Sequence, residues 1–500
     1  MPVPKEILSV ERPKNTIVVA YGKKLDHYAV RERLGCRYVE GRRLPTNGKI
    51  VGHIVNGNYV PKETTGTITP VARAPIDLKD WANVVLCNNI ADNLLEDLHV
   101  VYNDDDSRKI FCCAILRVCF PGIKDNELKN AYDECFLSEI YPNTPLSKNT
   151  ISIFWNNIGH AYSRICKFME IRVSRVEKNH HIIIDGTLKS NDSKVNTLSD
   201  YSRKSKLKNA KDISLLYAYD LEADEPICCK CYPGNMIDAT SYENFINENK
   251  INKGIIVGDK GFPSSCAKKH FAKNIDLHYI NPLKRNSKYI KEFNLLEFTG
   301  QVVGYDNILF SKAKVAENKY VYTFKDIHKA YREDYRWLHN ASKNSNFVNS
   351  EYNEDKELFG VIVLESDIDL DPKTVYKVYS SRWEIELVMR YYKQTCEFDK
   401  TRVHDDYSVI GSEFCNFLSA VITYRLINLF DRKDLFEKFT YKKILRILAR
   451  AKKVKLEGKN WELIKINPSY EKILQKLELL GEIPSAKAEA RPERRGDPSV

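Results

Sequence analysis

One stretch, residues 379–393, constrains the fold more than any other segment of the chain. An α-helix advances by roughly 100° per residue, so Tyr379, Arg382, Glu386 and Lys393 would project within an arc of about 60°. The apolar residues of the stretch are spaced i, i+3, i+4 and i+7, which predicts an adjoining face packed on a core: Ile385, Val388, Met389 and Tyr392. Asp371-Pro372 predicts where the helix starts, as an N-cap followed by proline at the first helical position.

The polar face of this helix combines one carboxylate with two cations and a phenol. Glu386 carries the negative charge, and Arg382 and Lys393 flank it. Such a surface is suited to holding a metal ion against a phosphate group. A solvated charged helix face is the other interpretation of the same residues.

Two further carboxylates follow short apolar runs upstream. Residues 181–187 read as a buried strand that ends in Asp185 and Gly186, and residues 254–262 repeat the form around Asp259. The ends of buried strands lie at the rim of a sheet, where ligands can reach them. Each aspartate by itself is also explained as a turn former, since Asp-Gly is a common turn pair.

Together with Glu386, these aspartates predict a three-carboxylate site. Three carboxylates close together repel each other unless they bind cations, and hard oxygen ligands suit Mg²⁺ or Mn²⁺. Two such ions about 4 Å apart stabilise both the attacking and the leaving oxygen of a phosphodiester displacement. The residue types therefore favour phosphodiester chemistry.

The Y-x2-R-x3-E-x6-K spacing resembles the Y-R-E-K signature of the DDE transposases of bacterial insertion sequences. The segment between the two aspartates is similar as well, with two strands, then Gly234-Asn235 and Asp238 opening a helix. The resemblance covers residues of about 176–265 and 357–430. It implies an α/β fold with a ribonuclease-H-like mixed sheet flanked by helices and interrupted by a β-rich insertion. An N-terminal β/helical region and a C-terminal helical domain complete the expected architecture.

The resemblance also implies a mechanism and partners. Asp185, Asp259 and Glu386 would be the catalytic and metal-binding residues for two Mg²⁺ ions, with Mn²⁺ as a substitute. With these residues and ions, the protein would cleave the transposon ends and join the freed 3′-OH to target DNA. Tyr379, Arg382 and Lys393 would grip phosphates beside the scissile bond. The expected partner is double-stranded DNA, both transposon ends and target, bound by a homodimer.

Cations near the second aspartate extend the predicted DNA surface. Lys284 and Arg285 leave a strand that is expected beside that of Asp259, and we expect phosphate contacts there because cations dominate affinity for DNA. The basic loop within residues 201–211 is predicted to border the DNA channel. Trp337 is a candidate for stacking on an unpaired base, although a core tryptophan is the alternative.

The chain is expected to divide into seven segments. They are a small basic β-rich domain at 1–75, a helical and possibly end-binding domain at 76–175, the first segment of the catalytic core at 176–286, a β-strand insertion at 287–356, the second segment of the catalytic core at 357–430, a basic helical domain at 431–483 and a disordered tail at 484–500. In the β-rich domain, arginines lie between the predicted strands: Arg31, Arg33, Arg37, Arg42 and Arg43. That domain is either a DNA-end reader or a solvated scaffold.

The composition is compatible with a DDE transposase, and it argues against a disulfide-stabilised secreted protein and a membrane-spanning protein. The net charge is +11, and the 13 cysteines are an odd number without a secretion signal, so reduced thiols are expected rather than a disulfide framework. No apolar run approaches the roughly 20 residues needed to span a bilayer. We therefore expect a cytoplasmic, nucleoid-associated bacterial protein.

Two alternatives use the same fold. The chain could be a domesticated DNA-binding protein that no longer cuts, or a structure-specific nuclease that cuts without joining. The intact acid triad argues against the first. One departure from the family concerns the strand before the signature helix, where Glu365-Ser366-Asp367 replaces a frequent Thr-Asn; this affects contacts assigned there and leaves the triad unchanged.

Overall fold

The structure is a computed structural model with two compact units. The first unit is Met1–Asp77 with Leu456–Asn460, and the second is Leu78–Lys455 with Trp461–Val500. The described residues are 3–20, 27–39, 41–62, 76–191, 193, 195–202, 211–236, 238–259, 271, 273–344, 347–383, 385, 386, 389, 393, 400, 401 and 403–480. The predicted disordered tail at 484–500 and most of the basic loop at 201–211 lie outside them.

The first unit is a small antiparallel sheet. It contains helix α1 (Lys5–Leu8) and strands β1 (Thr16–Ala20), β2 (His27–Val39), β3 (Arg42–Val55) and β4 (Asn58–Pro61), in the order β1-β2-β3-β4. Val18, Val30 and Ile54 form its buried core. An Asn56-Gly57 turn joins β3 to β4, and both residues have positive φ (53° and 76°), as a two-residue hairpin turn requires.

Ten strands of the described chain form the central sheet of the second unit. They are β6 (His181–Ser190), β7 (Asp200–Tyr201), β8 (Lys211–Asp220), β9 (Glu225–Pro233), β10 (Gly254–Val257), β11 (Leu277–Leu283), β12 (Gly300–Gln301), β13 (Ile308–Ala316), β14 (Lys319–Asp326) and β15 (Val361–Ser366). A separate three-stranded sheet has the order β17-β16-β5, from β5 (Ile76–Asp80), β16 (Lys452–Leu456) and β17 (Glu462–Leu463).

Helices flank the central sheet. They are α2 (Ala82–Ile90), α3 (Asp92–Val101), α4 (Asp104–Cys119), α5 (Leu128–Asp133), α6 (Leu137–Ile140), α7 (Lys148–His160), α8 (Tyr162–Val173), α9 (Asp238–Glu248), α10 (Lys288–Glu292), α11 (Ile327–Asn344), α12 (Asn349–Leu358), α13 (Pro372–Ser381), α14 (Asp406–Arg432), α15 (Tyr441–Leu448) and α16 (Pro468–Lys476). No helix among the described residues is both long enough and apolar enough to cross a membrane.

The strand order of the core is that of a ribonuclease-H-like sheet. β6 pairs antiparallel with β8, and β8 pairs antiparallel with β9. β10 runs parallel to β6, and β11 runs parallel to β10. Without the two-residue β7, the spatial order of the five core strands is β9-β8-β6-β10-β11. Numbered by their order in the chain, these strands are arranged 3-2-1-4-5. The predicted fold class, a mixed α/β sheet flanked by helices, is confirmed.

Buried apolar residues explain why the central strands form where the sequence predicted them. Ile182, Ile183 and Ile184 of β6 are almost completely buried, as are Ile255 and Ile256 of β10. β-branched side chains favour the pleated conformation, and strands covered on both faces read as continuous apolar runs.

The strands of residues 287–356 continue the central sheet. β15 is hydrogen-bonded to β11 on one side and to β14 on the other, antiparallel to both. β13 pairs with β14, and β12 with β13, so the sheet extends outward through this segment. Helices α10, α11 and α12 also belong to it. The segment predicted as an insertion thus adds strands to the core sheet as well as three helices.

Helix α14 is the central helix of the second unit. Eighteen of its 27 residues are buried, and it contacts α7, α4 and β9. The contact with α7 is close because glycines lie at the crossing: a Cβ at Gly411 would come 2.2 Å from the carbonyl oxygen of Trp155. A Cβ at Gly159 would come 1.9 Å from that of Tyr407. Two backbones can approach this closely only where side chains are missing.

Candidate active site

Two adjacent parallel strands bring Asp185 and Asp259 together. Ile183 of β6 is paired with Val257 of β10. Asp185 and Asp259 each lie two residues further along, so they are level with each other and directed to the same face. Neighbouring strands are about 4.8 Å apart. The two carboxylates are therefore neighbours, and Asp259 lies two residues beyond the end of β10. The prediction that Asp185 ends its strand was wrong, because β6 continues to Ser190 and remains paired with β8 up to that residue.

Arg382 connects this edge to Glu386. Its Nη1 atom lies 3.5 Å from Asp259 Oδ1 and 3.8 Å from Glu386 Oε1. The side chains of Asp259 and Glu386 are 40% and 55% exposed, so both remain accessible to a ligand. One guanidinium is thus shared by two acids of the predicted triad.

The environment of Asp185 disfavours its negative charge. Burial raises the pKa of Asp185 to about 6, although the Gly186 N–H donates a 2.8 Å hydrogen bond to Oδ1 and Arg382 also lowers the pKa. The negative charges of Asp259 and Glu386 raise it further. A carboxylate in this position is stabilised by additional positive charge.

The signature residues lie on helical backbone with one interruption. Asp371 caps α13 by accepting a hydrogen bond from Thr374 N, and Pro372 is the first helical residue, as predicted. The helix ends at Ser381, Arg382 is a turn residue, and helical conformation resumes at Trp383. The prediction of one continuous helix was therefore wrong at Arg382. Its φ and ψ of −54° and −30° remain helical, so the rotation between signature residues is largely preserved.

Tyr379 and Arg382 are in contact. The Arg382 guanidinium carbon lies 6.0 Å from the centre of the Tyr379 ring. Burial raises the pKa of the Tyr379 phenol, so it remains protonated at neutral pH and can donate a hydrogen bond. The Nε atom of Arg382 is buried and has no hydrogen-bond partner among the described residues.

Lys393 reaches the strand that carries Asp185. Its Nζ donates a 2.7 Å hydrogen bond to the carbonyl oxygen of Leu188 in β6. Ile385 and Met389 of the predicted apolar face are buried, whereas Val388 and Tyr392 lie outside the described residues. The signature region is therefore attached to β6 by both apolar packing and a polar contact.

Lys284 and Arg285 occupy different environments at the end of β11. Val257 is paired with Ile280, so the carboxyl end of β11 is at the same edge of the sheet as Asp259. Lys284 is exposed there. Arg285 makes a bidentate ion pair with Glu333, at 2.8 and 2.9 Å, and Glu333 also accepts from Gly360 N. Arg285 thus holds α11 against the sheet.

Two other features named from the sequence, Trp337 and the stretch 365–367, make contacts within the protein. Trp337 donates a 2.9 Å hydrogen bond to Asp355 and packs against Phe347 and Tyr352. Asp367 accepts a 2.9 Å hydrogen bond from Tyr279 N of β11. The family departure at residues 365–367 lies at the end of β15, two strands from β10: Glu365 pairs with Asn281, the residue after Ile280, and Ile280 pairs with Val257.

A buried ion pair beside the site was missed by the sequence analysis. Lys189 of β6 and Glu413 of α14 are 1% and 2% exposed, and their charged atoms are 2.5 Å apart. Buried charges are normally paired, but no local pattern singled out these two residues, because β6 and α14 both contain other charged residues. The pair ties the strand of Asp185 to the central helix.

A second cluster of potential metal ligands lies at the opposite edge of the sheet. His180, Asp220 and Glu222 place three ligand atoms within 4.8 Å of one another. These groups are already engaged: His180 Nδ1 is 2.7 Å from Asp220 Oδ2, and Asp220 Oδ1 accepts from the backbone of Glu222 and Ala223. The cluster secures the turn between β8 and β9.

Comparisons with known proteins agree with the geometry. Residues 177–409 match the family model described as the transposase DDE domain, a span that includes Asp185, Asp259 and residues 379–393. No curated protein matches the sequence. A piggyBac transposase in a cryo-EM structure of its synaptic complex with hairpin DNA is similar at 11% identity and a TM-score of 0.39, over 84% of this chain and 91% of that chain. That structural likeness is too remote to support a conclusion.

The family match supports the general class predicted from the sequence. It covers the strands, the helices and the acids that form the candidate site. It therefore supports a DDE transposase, which implies an enzyme that cleaves DNA.

Proposed function

We propose that this protein is a cut-and-paste DNA transposase of the bacterial insertion-sequence group that carries the Y-R-E-K signature. It would cleave the ends of its element and join the freed 3′-OH to target DNA. The observation that carries the proposal is that Arg382 lies between Asp259 and Glu386 and also acts electrostatically on Asp185. Asp185 and Asp259 are level on adjacent parallel strands, and Arg382 links Asp259 to Glu386.

The residue types of the site suit divalent metal ions, although the ligand atoms of the three acids do not all lie within 4.8 Å of one another. Asp185, Asp259 and Glu386 offer hard oxygen donors, which Mg²⁺ and Mn²⁺ prefer. The raised pKa of Asp185 indicates a carboxylate that lacks enough neighbouring positive charge. We infer that these three residues hold two Mg²⁺ ions, with Mn²⁺ as a substitute. When bound, the ions would activate water and stabilise the entering and leaving oxygens of the phosphodiester.

The residues of the signature would position the phosphate group. Arg382 has a buried Nε donor without a partner among the described residues, which is available to a phosphate oxygen. Tyr379 keeps its phenolic proton and can donate to a second oxygen. Lys393 would add positive charge close to β6, and its contact with Leu188 O orients it there.

The DNA surface would extend from the acids along the same sheet edge. Lys284 is exposed at the end of β11 and is free to approach the phosphate backbone. Arg285 would contact DNA only if its pair with Glu333 opened, so we assign it a supporting role within the proposal. Two transposon ends must be cut and joined together, which favours a homodimer on DNA. The expected location is the bacterial cytoplasm, at the nucleoid.

The test is metal-dependent cleavage of DNA that carries the element's own flanking ends. The wild-type protein is expected to cut and then join these ends in Mg²⁺ or Mn²⁺, and not in EDTA. Glu386→Gln should abolish cleavage while DNA binding persists, because it removes a metal ligand without changing side-chain size. Glu437→Gln, at an exposed position remote in sequence from the signature, is the matched control and should cut normally.

Each other outcome points to a named alternative. Binding without cleavage by the wild type would favour a domesticated DNA-binding protein. Cleavage without joining would favour a structure-specific nuclease. Unchanged cleavage by Glu386→Gln would contradict the assignment of the triad.

A further inference from the structure

The first unit contains a hairpin that extends beyond its own sheet. β1 pairs with β2 only over residues 28–32, and β4 pairs with β3 only over residues 52–55. From Gly35↔Thr46 to Val39↔Arg42, the two strands pair only with each other among the described residues. At the base of this stretch, the Arg33 N–H donates a 2.8 Å hydrogen bond to Asn15 O. We call residues 33–47 the ribbon arm.

The apolar side chains of the ribbon arm that the structure describes do not pack on a core. Leu34, Tyr38 and Leu44 are 68%, 73% and 42% exposed. The buried residues of the hairpin end at Val30 on β2 and begin again at Gly52 on β3. A two-stranded ribbon alone is only marginally stable in water, so a bare ribbon of this length would be stabilised by a bound partner.

Positive charge is concentrated along the ribbon. Residues 31–49 contain six arginines and lysines but only two glutamates, within a chain whose total net charge is +11. The side chains of Arg33, Arg42 and Arg43 are exposed. Arg42 and Arg43 lie next to the turn, at the outer end of the arm. This charge favours a polyanionic partner.

The shape and charge distinguish DNA from a second copy of the chain. Pairing two ribbon arms edge to edge would bring Arg42 and Arg43 close to the same cations of the other copy, which like-charge repulsion opposes. Seven residues of extended strand reach roughly 20 Å. The major groove of B-DNA is about 12 Å wide and admits a two-stranded β-ribbon.

We propose that the ribbon arm enters the major groove of duplex DNA, with Arg33, Arg42 and Arg43 on the phosphates that border the groove. The inference rests on the proposed function in that it takes DNA as the partner. Leu34, Tyr38 and Leu44 supply apolar surface for the sugars and base edges within the groove. The arm is a DNA contact of the first unit, separate from the acids of the second.

The experiment measures binding of the full-length protein to a fluorescein-labelled duplex of about 30 base pairs over a series of salt concentrations. Arg42→Ala with Arg43→Ala should weaken binding at least tenfold. It should also reduce the slope of log K against log salt by about 2, since each phosphate contact contributes about 0.9. Lys5→Ala with Lys14→Ala, which removes two exposed charges from the same unit, is the control and should stay within twofold of the wild type.

Two further measurements test folding and the groove. Arg42→Lys with Arg43→Lys keeps the charge and should retain most of the salt slope; the alanine and lysine variants should unfold at the wild-type temperature, since all the changes are at exposed sites. Methyl green, which occupies the major groove, should compete with the protein, whereas distamycin in the minor groove should not. Competition by distamycin alone would overturn the major-groove assignment.

The outcomes separate this inference from the proposed function. If the wild type binds and cuts DNA and the alanine variant binds equally well, the ribbon arm is not a DNA contact. If the alanine variant instead dissociates a dimer in sedimentation, the arm joins two copies and the inference is overturned. If the arm substitutions weaken binding but no protein cleaves DNA, the arm inference stands and the transposase proposal fails. Absence of any binding by the wild type would overturn both.

Discussion

Asp185 shows how a single residue depends on its surroundings. It ends the apolar stretch of β6, so it is partly withdrawn from water and faces two other carboxylates. Arg382 and the Gly186 N–H lower the pKa of Asp185 but offset the effect of burial only in part, so the pKa stays at about 6. The charged form of this residue is therefore unfavourable in the folded protein without additional positive charge.

The pH dependence of stability follows from this pKa. Asp185 titrates near 3.9 in the unfolded chain and at about 6 in the folded protein, so the unfolded state loses its proton first. Stability is therefore lost as pH rises from about 4 to 6, by about 2 to 3 kcal/mol at most. In urea denaturation without metal ions, the free energy of unfolding of Asp185→Asn relative to the wild type should increase by about 2 to 3 kcal/mol between about pH 4 and pH 7.5. A difference between the two proteins that does not change with pH would contradict the assigned pKa.

The Lys189–Glu413 pair is a second residue-scale feature with a measurable energy. Removing one partner leaves a buried charge without its counter-ion and should cost about 3 to 5 kcal/mol. Lys189→Met or Glu413→Leu alone should therefore destabilise more than the two changes combined. A double-mutant cycle of urea denaturation measures this coupling, and additive costs would show that the two charges do not depend on each other.

At the scale of elements, the contact between α7 and α14 depends on the absence of side chains. Gly411 and Gly159 allow each helix to reach the backbone of the other. Both helices also present apolar residues such as Trp155 and Phe414 to the same core. The close crossing fixes α14, and with it Glu413 against β6.

A methyl group at this crossing should separate the helices. Gly411→Ala places a Cβ 2.2 Å from Trp155 O, so the backbones must move, at a cost of about 1 to 3 kcal/mol or more. Thermal and urea denaturation measure the change. Lys442→Ala on the exposed face of α15 is the control and should stay within about 0.5 kcal/mol. Wild-type stability of Gly411→Ala would mean that the helices can separate without loss.

At the scale of the whole molecule, metal binding and folding should be linked. The three acids come from β6, the end of β10 and the helical segment after Arg382, which are far apart in the sequence. The unfolded chain cannot hold them together, so an ion bound by all three stabilises only the folded protein.

Mg²⁺ should therefore raise the unfolding temperature. A concentration of about 100 times the dissociation constant corresponds to about 2.7 kcal/mol of stabilisation. The increase should be larger at pH 7.5 than at pH 5, since Asp185 must lose its proton to bind the ion. It should be much smaller for Asp185→Asn and Glu386→Gln. Equal temperature shifts for all three proteins would place the ion elsewhere.

Local sequence patterns were sufficient to predict much of the core. The apolar runs before Asp185 and Asp259 form the first part of β6 and the whole of β10, and Asp371-Pro372 starts α13. The turn at Arg382 was not predictable, because its backbone angles are still helical and no glycine or proline marks it. The joining of residues 308–326 to the core sheet also escaped prediction, since strand pairing is a long-range property that periodicity does not encode.

The sequence by itself determined the main strands of the catalytic core, the three acids and the spacing of the signature residues. It did not predict the helices within residues 287–356 or the strands within residues 431–483. Local preferences and the burial of apolar runs are written in neighbouring residues, which is why they could be predicted. The tertiary structure alone decided that Asp185 and Asp259 are level, that Arg382 is shared by two acids, that Arg285 is bound to Glu333 and that Lys189 meets Glu413. These relations depend on register and packing between segments far apart in the chain, where the energy of a contact exists only once the fold has formed.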